Sequence, residues 1–187
     1  TDNLWDTMSV YAVVTPPGGD QIGERLLDTH FAMMQKMGVE INRRDGRYFL
    51  DWKERRATNI FLDEPSVTAT EMGLIMASSM QNGMKIEDAA TEPHVSDLAN
   101  LLVKMGATIG GIGSNVLDIS GGKLKGVEHK VCADHIEGGT FAIAAAITGG
   151  KVEIEDFKAQ DCPMIINYLS YMGVNFKTSL NSLTVLP

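Results

Sequence analysis

The sequence predicts an α/β fold built by repetition, from a helix–strand–helix–strand–strand unit of about 67 residues. Three observations predict it. The stretches QKMGVEI (35–41), VKMGATI (103–109) and SYMGVNF (170–176) share methionine, glycine, a small residue, any residue and an apolar one, and their glycines, Gly38, Gly106 and Gly173, lie 68 and 67 residues apart. A second echo has the same period: Ile86-Glu87-Asp88 recurs as Ile154-Glu155-Asp156, 68 residues on. Apolar spacing is helical before each glycine and alternating after it, as where a helix ends on a left-handed glycine and a strand follows.

The elements follow in order through units of roughly 15–65, 66–133 and 134–187, read as one domain with the first unit entered midway. Ile22, Leu26, Leu27, Phe31, Met34 and Met37 give the first helix its apolar face, placing Arg25 in its first turn. Thr68 to Glu71 reads as a capping box opening the next helix. Pro93 suits a first helical turn, and Val95, Leu98, Leu101, Leu102 and Met105 continue that helix. GGIGS (110–114) reads as a hairpin turn before the strand NVLDIS (115–120). Asp134 with Glu137 opens a helix in the third unit, KVEIED (151–156) is a strand, Ile165, Leu169 and Met172 mark a helix after Pro163, and SLTVLP (182–187) closes the chain as a strand.

Composition narrows the function. The 187 residues are 44% apolar and carry a net charge of −8, which argues against a nucleic-acid scaffold, since phosphate contacts need clustered Lys and Arg. The longest strongly apolar run, 141–147, is too short to span a bilayer. Cys132 and Cys162 read as free thiols in a reducing, cytoplasmic setting. The chain opens on Thr1 without an initiator methionine, so it is expected to be a piece of a longer protein. His129, Cys132, Asp134 and His135 crowd together, but a strand leading into a helix scatters such side chains, and no second ligand pair follows; no metal site is expected.

The stretch PPGGDQIGERLLDTH (16–30) poses the functional question. On residue type alone, Asp20 is a turn residue, Arg25 a surface arginine, His30 a packed or surface helix histidine, and Ser66-Val67 equally a plain helix start or an anion-binding turn.

This stretch, together with DEPSVTAT (63–70), AATEPHVSDLANLLVKMGATI (89–109) and ADHIEGGTFAIAAAITGG (133–150), resembles the UDP-N-acetylglucosamine enolpyruvyl transferase family from about Pro16 on. The resemblance implies an inside-out α/β barrel domain of three repeated units around buried helices, one of two such domains closing on a cleft. It implies transfer of enolpyruvyl from phosphoenolpyruvate to the 3-hydroxyl of UDP-N-acetylglucosamine in peptidoglycan precursor synthesis, with no cofactor, no metal and no membrane or nucleic-acid partner. Asp20 stands where the family usually holds a cysteine and would be the proton donor, with its pKa raised when the loop shuts. Arg25 would hold the phosphate of phosphoenolpyruvate. Leu26, Leu27, Asp28 and Thr29 would grip the uracil end, and Glu64, Pro65, Ser66 and Val67 would form the diphosphate turn at a helix N-terminus. His30, Glu92 and Asp134 match further family positions, Glu92 and Glu137 reading as structural caps.

The chain departs from the family at Glu64, normally lysine, and at His135, commonly arginine; both remove positive charge. The family's Lys-Asn pair, its later catalytic aspartate and its phosphate-binding arginine have no counterpart here, so the chain alone is expected not to turn over and needs the second domain of its parent. Two rivals remain: a 3-phosphoshikimate enolpyruvyl transferase, and a degenerate domain that binds a sugar nucleotide or a protein without turnover.

Aspartate is a poorer target than a thiolate for the epoxide fosfomycin, so the resemblance predicts resistance. Intact-mass measurement of the whole natural protein after incubation with fosfomycin is expected to show no adduct on Asp20; a stoichiometric adduct there contradicts it.

Overall fold

The computed structural model describes residues 10–18 and 26–187. The chain forms two compact units, Thr1–His129 and Lys130–Pro187.

In unit 1 the elements run β1 (Val10–Val14), α1 (Asp28–Lys36), β2 (Glu40–Arg44), β3 (Arg47–Trp52), β4 (Ile60–Phe61), α2 (Val67–Ser78), β5 (Met84–Glu87), α3 (Pro93–Met105), β6 (Thr108–Gly110) and β7 (Val116–Ser120). Unit 2 continues with α4 (His135–Thr148), β8 (Val152–Glu155), a 3-10 turn (Ala159–Asp161), α5 (Pro163–Tyr171), β9 (Phe176–Thr178) and β10 (Ser182–Val185). The predicted order of helix, strand, helix, strand, strand thus runs from α2 to β7 and again from α4 to β10. The sheets repeat it as well, with orders β1-β3-β2, β4-β5-β7-β6 and β8-β10-β9. In each the last strand of the unit lies between the other two and pairs antiparallel with both. β4 alone adds a parallel neighbour, Ile60 opposite Ile86.

Register explains the core. Met84 faces Ile119 and Ile86 faces Leu117, all four buried, while Lys85 and Asp118 pair on the other face at 4.0 Å. In unit 2 Ile154 faces Leu183 and Val152 faces Val185. Against these sheets lie helices rich in small residues. Gly73 of α2 lets Ile86 and Met33 approach so closely that a Cβ would meet their side chains at 2.7 and 2.9 Å. Gly138 and Gly139 of α4 receive Phe157 and Ile165 in the same way, each at 2.6 Å. No helix among the described residues is long and apolar enough to cross a membrane.

The repeat is also written in the backbone. Gly38, Gly106 and Gly173 all have positive φ, 94°, 121° and 75°. Asp88 and Asp156, the last residues of the second echo, are left-handed too, at 59° and 56°, immediately after β5 and β8.

Two expectations are corrected. The first described helix begins at Asp28, with Leu27 as its cap residue and Leu26 65% exposed, so the helix start anticipated around Arg25 does not belong to α1. Nor does Thr68 cap α2. Ser66 does, its hydroxyl accepting from the Ala69 N–H at 3.4 Å, while Thr68 is already helical and its hydroxyl is engaged elsewhere.

Gly38 tests the backbone argument. A Cβ there would collide with the Glu54 carbonyl oxygen, whereas at Gly46 (φ 69°), the second residue of the Asp45-Gly46 hairpin, it meets nothing within 4 Å. Gly38→Ala is expected to lower stability by about 2–4 kcal/mol, and Gly46→Ala by only about 1–2 kcal/mol. Urea unfolding followed by tryptophan emission checks the difference.

Candidate functional site

The described part of the candidate active site lies where the first turn of α1 meets the turn that opens α2. These segments stand more than thirty residues apart in the chain, yet two side-chain contacts join them. Thr29, 8% exposed, donates from Oγ1 to Glu64 Oε1 at 3.3 Å. His30 Nε2 lies 2.8 Å from Thr68 Oγ1, either atom able to donate.

The α2 side is a built turn. The Ser66 N–H donates to the Glu64 carbonyl at 2.7 Å. Thr70, fully buried, donates both its N–H and its hydroxyl to the Ser66 carbonyl, at 2.9 and 2.8 Å. The same Thr70 hydroxyl accepts from Ala90 N–H at 3.0 Å, tying α2 to the segment that leads into α3. Pro65 is exposed and Val67 half-buried at the first helical position. The free N–H groups of this first turn, with the helix dipole behind them, suit an anion or an acceptor group.

On the α1 side Asp28 is exposed in the first turn, where a carboxylate complements the dipole. Leu27 caps the helix through its carbonyl, which accepts from Phe31 N–H at 2.9 Å. Burial pushes the His30 imidazole below the ordinary histidine pKa, and the Glu64 carboxylate opposes that shift. Its Nδ1 is buried without a hydrogen-bond partner.

Glu92 occupies the cap position of α3, but through its carbonyl, which accepts from Val95 and Ser96 N–H at 3.0 and 3.2 Å; its side chain makes no capping bond. Its Oε2 is buried without a hydrogen-bond partner, an unusual state for a carboxylate oxygen. Asp134 belongs to unit 2, where its Oδ1 accepts from Ile136 and Glu137 N–H at 2.8 and 3.2 Å and caps α4. Asp20 and Arg25 lie outside the described residues.

The structure thus brings Thr29, His30, Glu64 and Ser66 together and adds Thr68 and Thr70, which sequence reasoning did not single out as site residues. The helix caps had drawn attention to Thr68 and Thr70, but a hydroxyl's choice between a cap and a distant partner has no local signal. Among the described residues no cluster of three or more His, Cys, Asp or Glu is arranged to hold a metal.

Residues 7–186 match the family model described as EPSP synthase (3-phosphoshikimate 1-carboxyvinyltransferase). The chain is 47% identical over 163 residues to the UDP-N-acetylglucosamine 1-carboxyvinyltransferase of Borrelia garinii, covering 86% of this chain and 38% of that protein. It is 41% identical over 175 residues to the enzyme of that name from Treponema denticola, covering 93% and 41%. The chain therefore spans about 40% of the length of these curated relatives. Among solved structures, the enolpyruvyl transferase NikO from Streptomyces tendae superposes with a TM-score of 0.78 at 19% identity, over 95% of this chain and 44% of that one. EPSP synthase from Acinetobacter baumannii superposes with a TM-score of 0.66 at 19% identity, over 97% and 44%. Both share the fold.

His30 carries a pH test. Its folded-state pKa is depressed, so the fold favours the neutral ring and the unfolded chain takes up the proton first, near pH 6.5. The stability this contributes is complete above about pH 6.5 and is lost as pH falls towards the folded-state value. Urea midpoints at about pH 7.5 and 5.5 should show a smaller acid loss for His30→Asn than for wild type.

Proposed function

The chain belongs to the EPSP synthase family, and we propose that the protein it represents transfers the enolpyruvyl group of phosphoenolpyruvate to the 3-hydroxyl of UDP-N-acetylglucosamine. The observation that carries this reading is the contrast in kinship: 41–47% identity to enzymes named for that acceptor, against 19% to the superposed EPSP synthase. Because the chain spans about 40% of those relatives, the activity is proposed for the protein with its second domain, and the isolated chain is inactive.

In this reading Asp20 delivers a proton to the methylene carbon of phosphoenolpyruvate as the sugar hydroxyl oxygen bonds to the neighbouring carbon and gives up its own proton to a base. The resulting tetrahedral ketal then loses phosphate and a methyl proton, which restores the double bond in the product. Carbon protonation needs the acid form, so closure of the loop must raise the Asp20 pKa, by excluding water and by the nearby phosphate. Arg25 holds that phosphate with its fork of donors. The turn from Glu64 to Val67 holds the diphosphate, and residues 26–29 the uracil end, partly through backbone groups. The setting is peptidoglycan precursor synthesis, hence cell-wall growth and division, in the bacterial cytoplasm. No cofactor is required by this chemistry.

A second reading, binding without turnover, is favoured by Glu64. Its carboxylate stands at the mouth of α2 and accepts from Thr29, where a diphosphate would gain from a cation. Phosphate release by the whole natural protein separates the readings. With phosphoenolpyruvate and UDP-N-acetylglucosamine, wild type is expected to turn over and Asp20→Ala to fall by about 10²–10⁴-fold. Turnover with 3-phosphoshikimate instead supports the other branch of the family. No release from either acceptor, with UDP-N-acetylglucosamine still bound at equilibrium, supports the non-catalytic domain.

A further inference from the structure

Beyond the site, α3 and the segment after β7 share a charged cluster. From Gly121 to Ala133 the chain has no regular secondary structure, and its first part lies back along α3. The Lys125 N–H donates to the Met105 carbonyl at 2.9 Å, and Leu124 packs against the unit 1 core. Near its end the His129 side chain, only 8% exposed, meets Asp97 and Lys104, which sit seven residues and about two turns apart on α3. His129 Nε2 is 3.2 Å from Asp97 Oδ2, and Nδ1 is 3.1 Å from Lys104 Nζ.

The two contacts define the ring. An ammonium can only donate, so Nδ1 is an acceptor; a carboxylate only accepts, so Nε2 carries the hydrogen. These roles are those of the neutral Nε2–H tautomer. We propose that Asp97, His129 and Lys104 form a proton-sensitive clamp that holds the 121–129 strap along α3, at the point where the chain passes from the first compact unit to the second.

The two partners are of opposite charge. A carboxylate faces Nε2 and an ammonium faces Nδ1. His94 lies one turn before Asp97 on α3, and Glu128 and Lys130 are the chain neighbours of His129, Lys130 being drawn to Asp156 at 3.1 Å. A proton added at Nδ1 points at the Lys104 ammonium, turning an acceptor–donor contact into two facing donors of like charge. Lys104 is exposed on a flexible stem and swings away, while the Asp97 contact stays. Acid reduces the clamp from two side-chain anchors to one.

Hydrogen exchange of the strap amides in the whole natural protein tests this, read at about pH 7.5 and 5.5 and corrected for intrinsic rates. Wild type is expected to exchange several-fold faster at the lower pH. Lys104→Met and His129→Phe should exchange fast at both, with α3 and β7 still protected to show an intact fold. Unchanged strap exchange in His129→Phe, or a wild-type pH response kept in Lys104→Met, overturns the proposal. Should His129→Phe fail to fold, imidazole nitrogen resonances of wild type decide: an Nδ1–H tautomer at neutral pH overturns the clamp and an Nε2–H tautomer supports it.

Discussion

A helix that gives way to a strand within two or three residues must turn its backbone through the left-handed region, and the repeat depends on that turn. At residue 38 the demand is strictest, because the Glu54 carbonyl occupies the space a side chain would need. The same stretch of chain closes the end of α1: the Met37 carbonyl accepts from both the Trp52 indole at 2.9 Å and Arg56 N–H at 3.1 Å. Glycine thus sets the sharpness of the reversal, and the loop after β3 seals it. With the reversal in place, each helix lies back over its own sheet, and small residues bring the surfaces within packing distance.

The same geometry makes a site possible. A unit that begins with a helix exposes that helix's N-terminal N–H groups, and the preceding turn decides what can approach them. At α2 the turn is stiffened by Ser66 and Thr70, and the first turn of α1 is fastened to it by Thr29 and His30. At α4 the corresponding opening is closed by Asp134, whose carboxylate takes up two of the N–H groups itself. Two helix starts of the same repeat differ in this way: one is sealed by its own carboxylate, the other by a small hydroxyl that leaves N–H groups available.

Much of this was legible in the sequence, because it is local. The period, the three left-handed glycines, the turn at 110–114, Pro93 and Pro163 at helix starts and the Asp134 cap each follow from a residue and its immediate neighbours. The misreadings came from competition. Ser66 and Thr68 are both good cap residues; Ser66 takes the cap, and the Thr68 hydroxyl meets His30, 38 positions away. Helical spacing extended back to Ile22, but Leu26 is 65% exposed and α1 starts at Asp28. The Asp45-Gly46 turn between β2 and β3 carried a strong hairpin signal in two residues that the period-based reading passed over. The Thr29–Glu64 bond had no local signal, since it exists only once two helices are packed.

The charge at the site bears most directly on its chemistry. The joined segments, 26–30 and 63–68, contain Asp28, Asp63 and Glu64 and no lysine or arginine. His30 adds little positive charge, since burial favours its neutral ring. If the proposed diphosphate binds this turn, what draws it is the dipole and N–H groups of α2, together with cations from outside these two segments. The nearest in sequence is Arg25, one residue before Leu26 and five after Asp20. In the proposed mechanism the arginine that holds phosphate and the carboxylate that gives the proton are only five residues apart, so the positive charge this turn lacks and the acid arrive on one short stretch of chain. On that proposal anion capture and proton delivery become one event, and an acidic turn serves an anionic substrate without a lysine of its own.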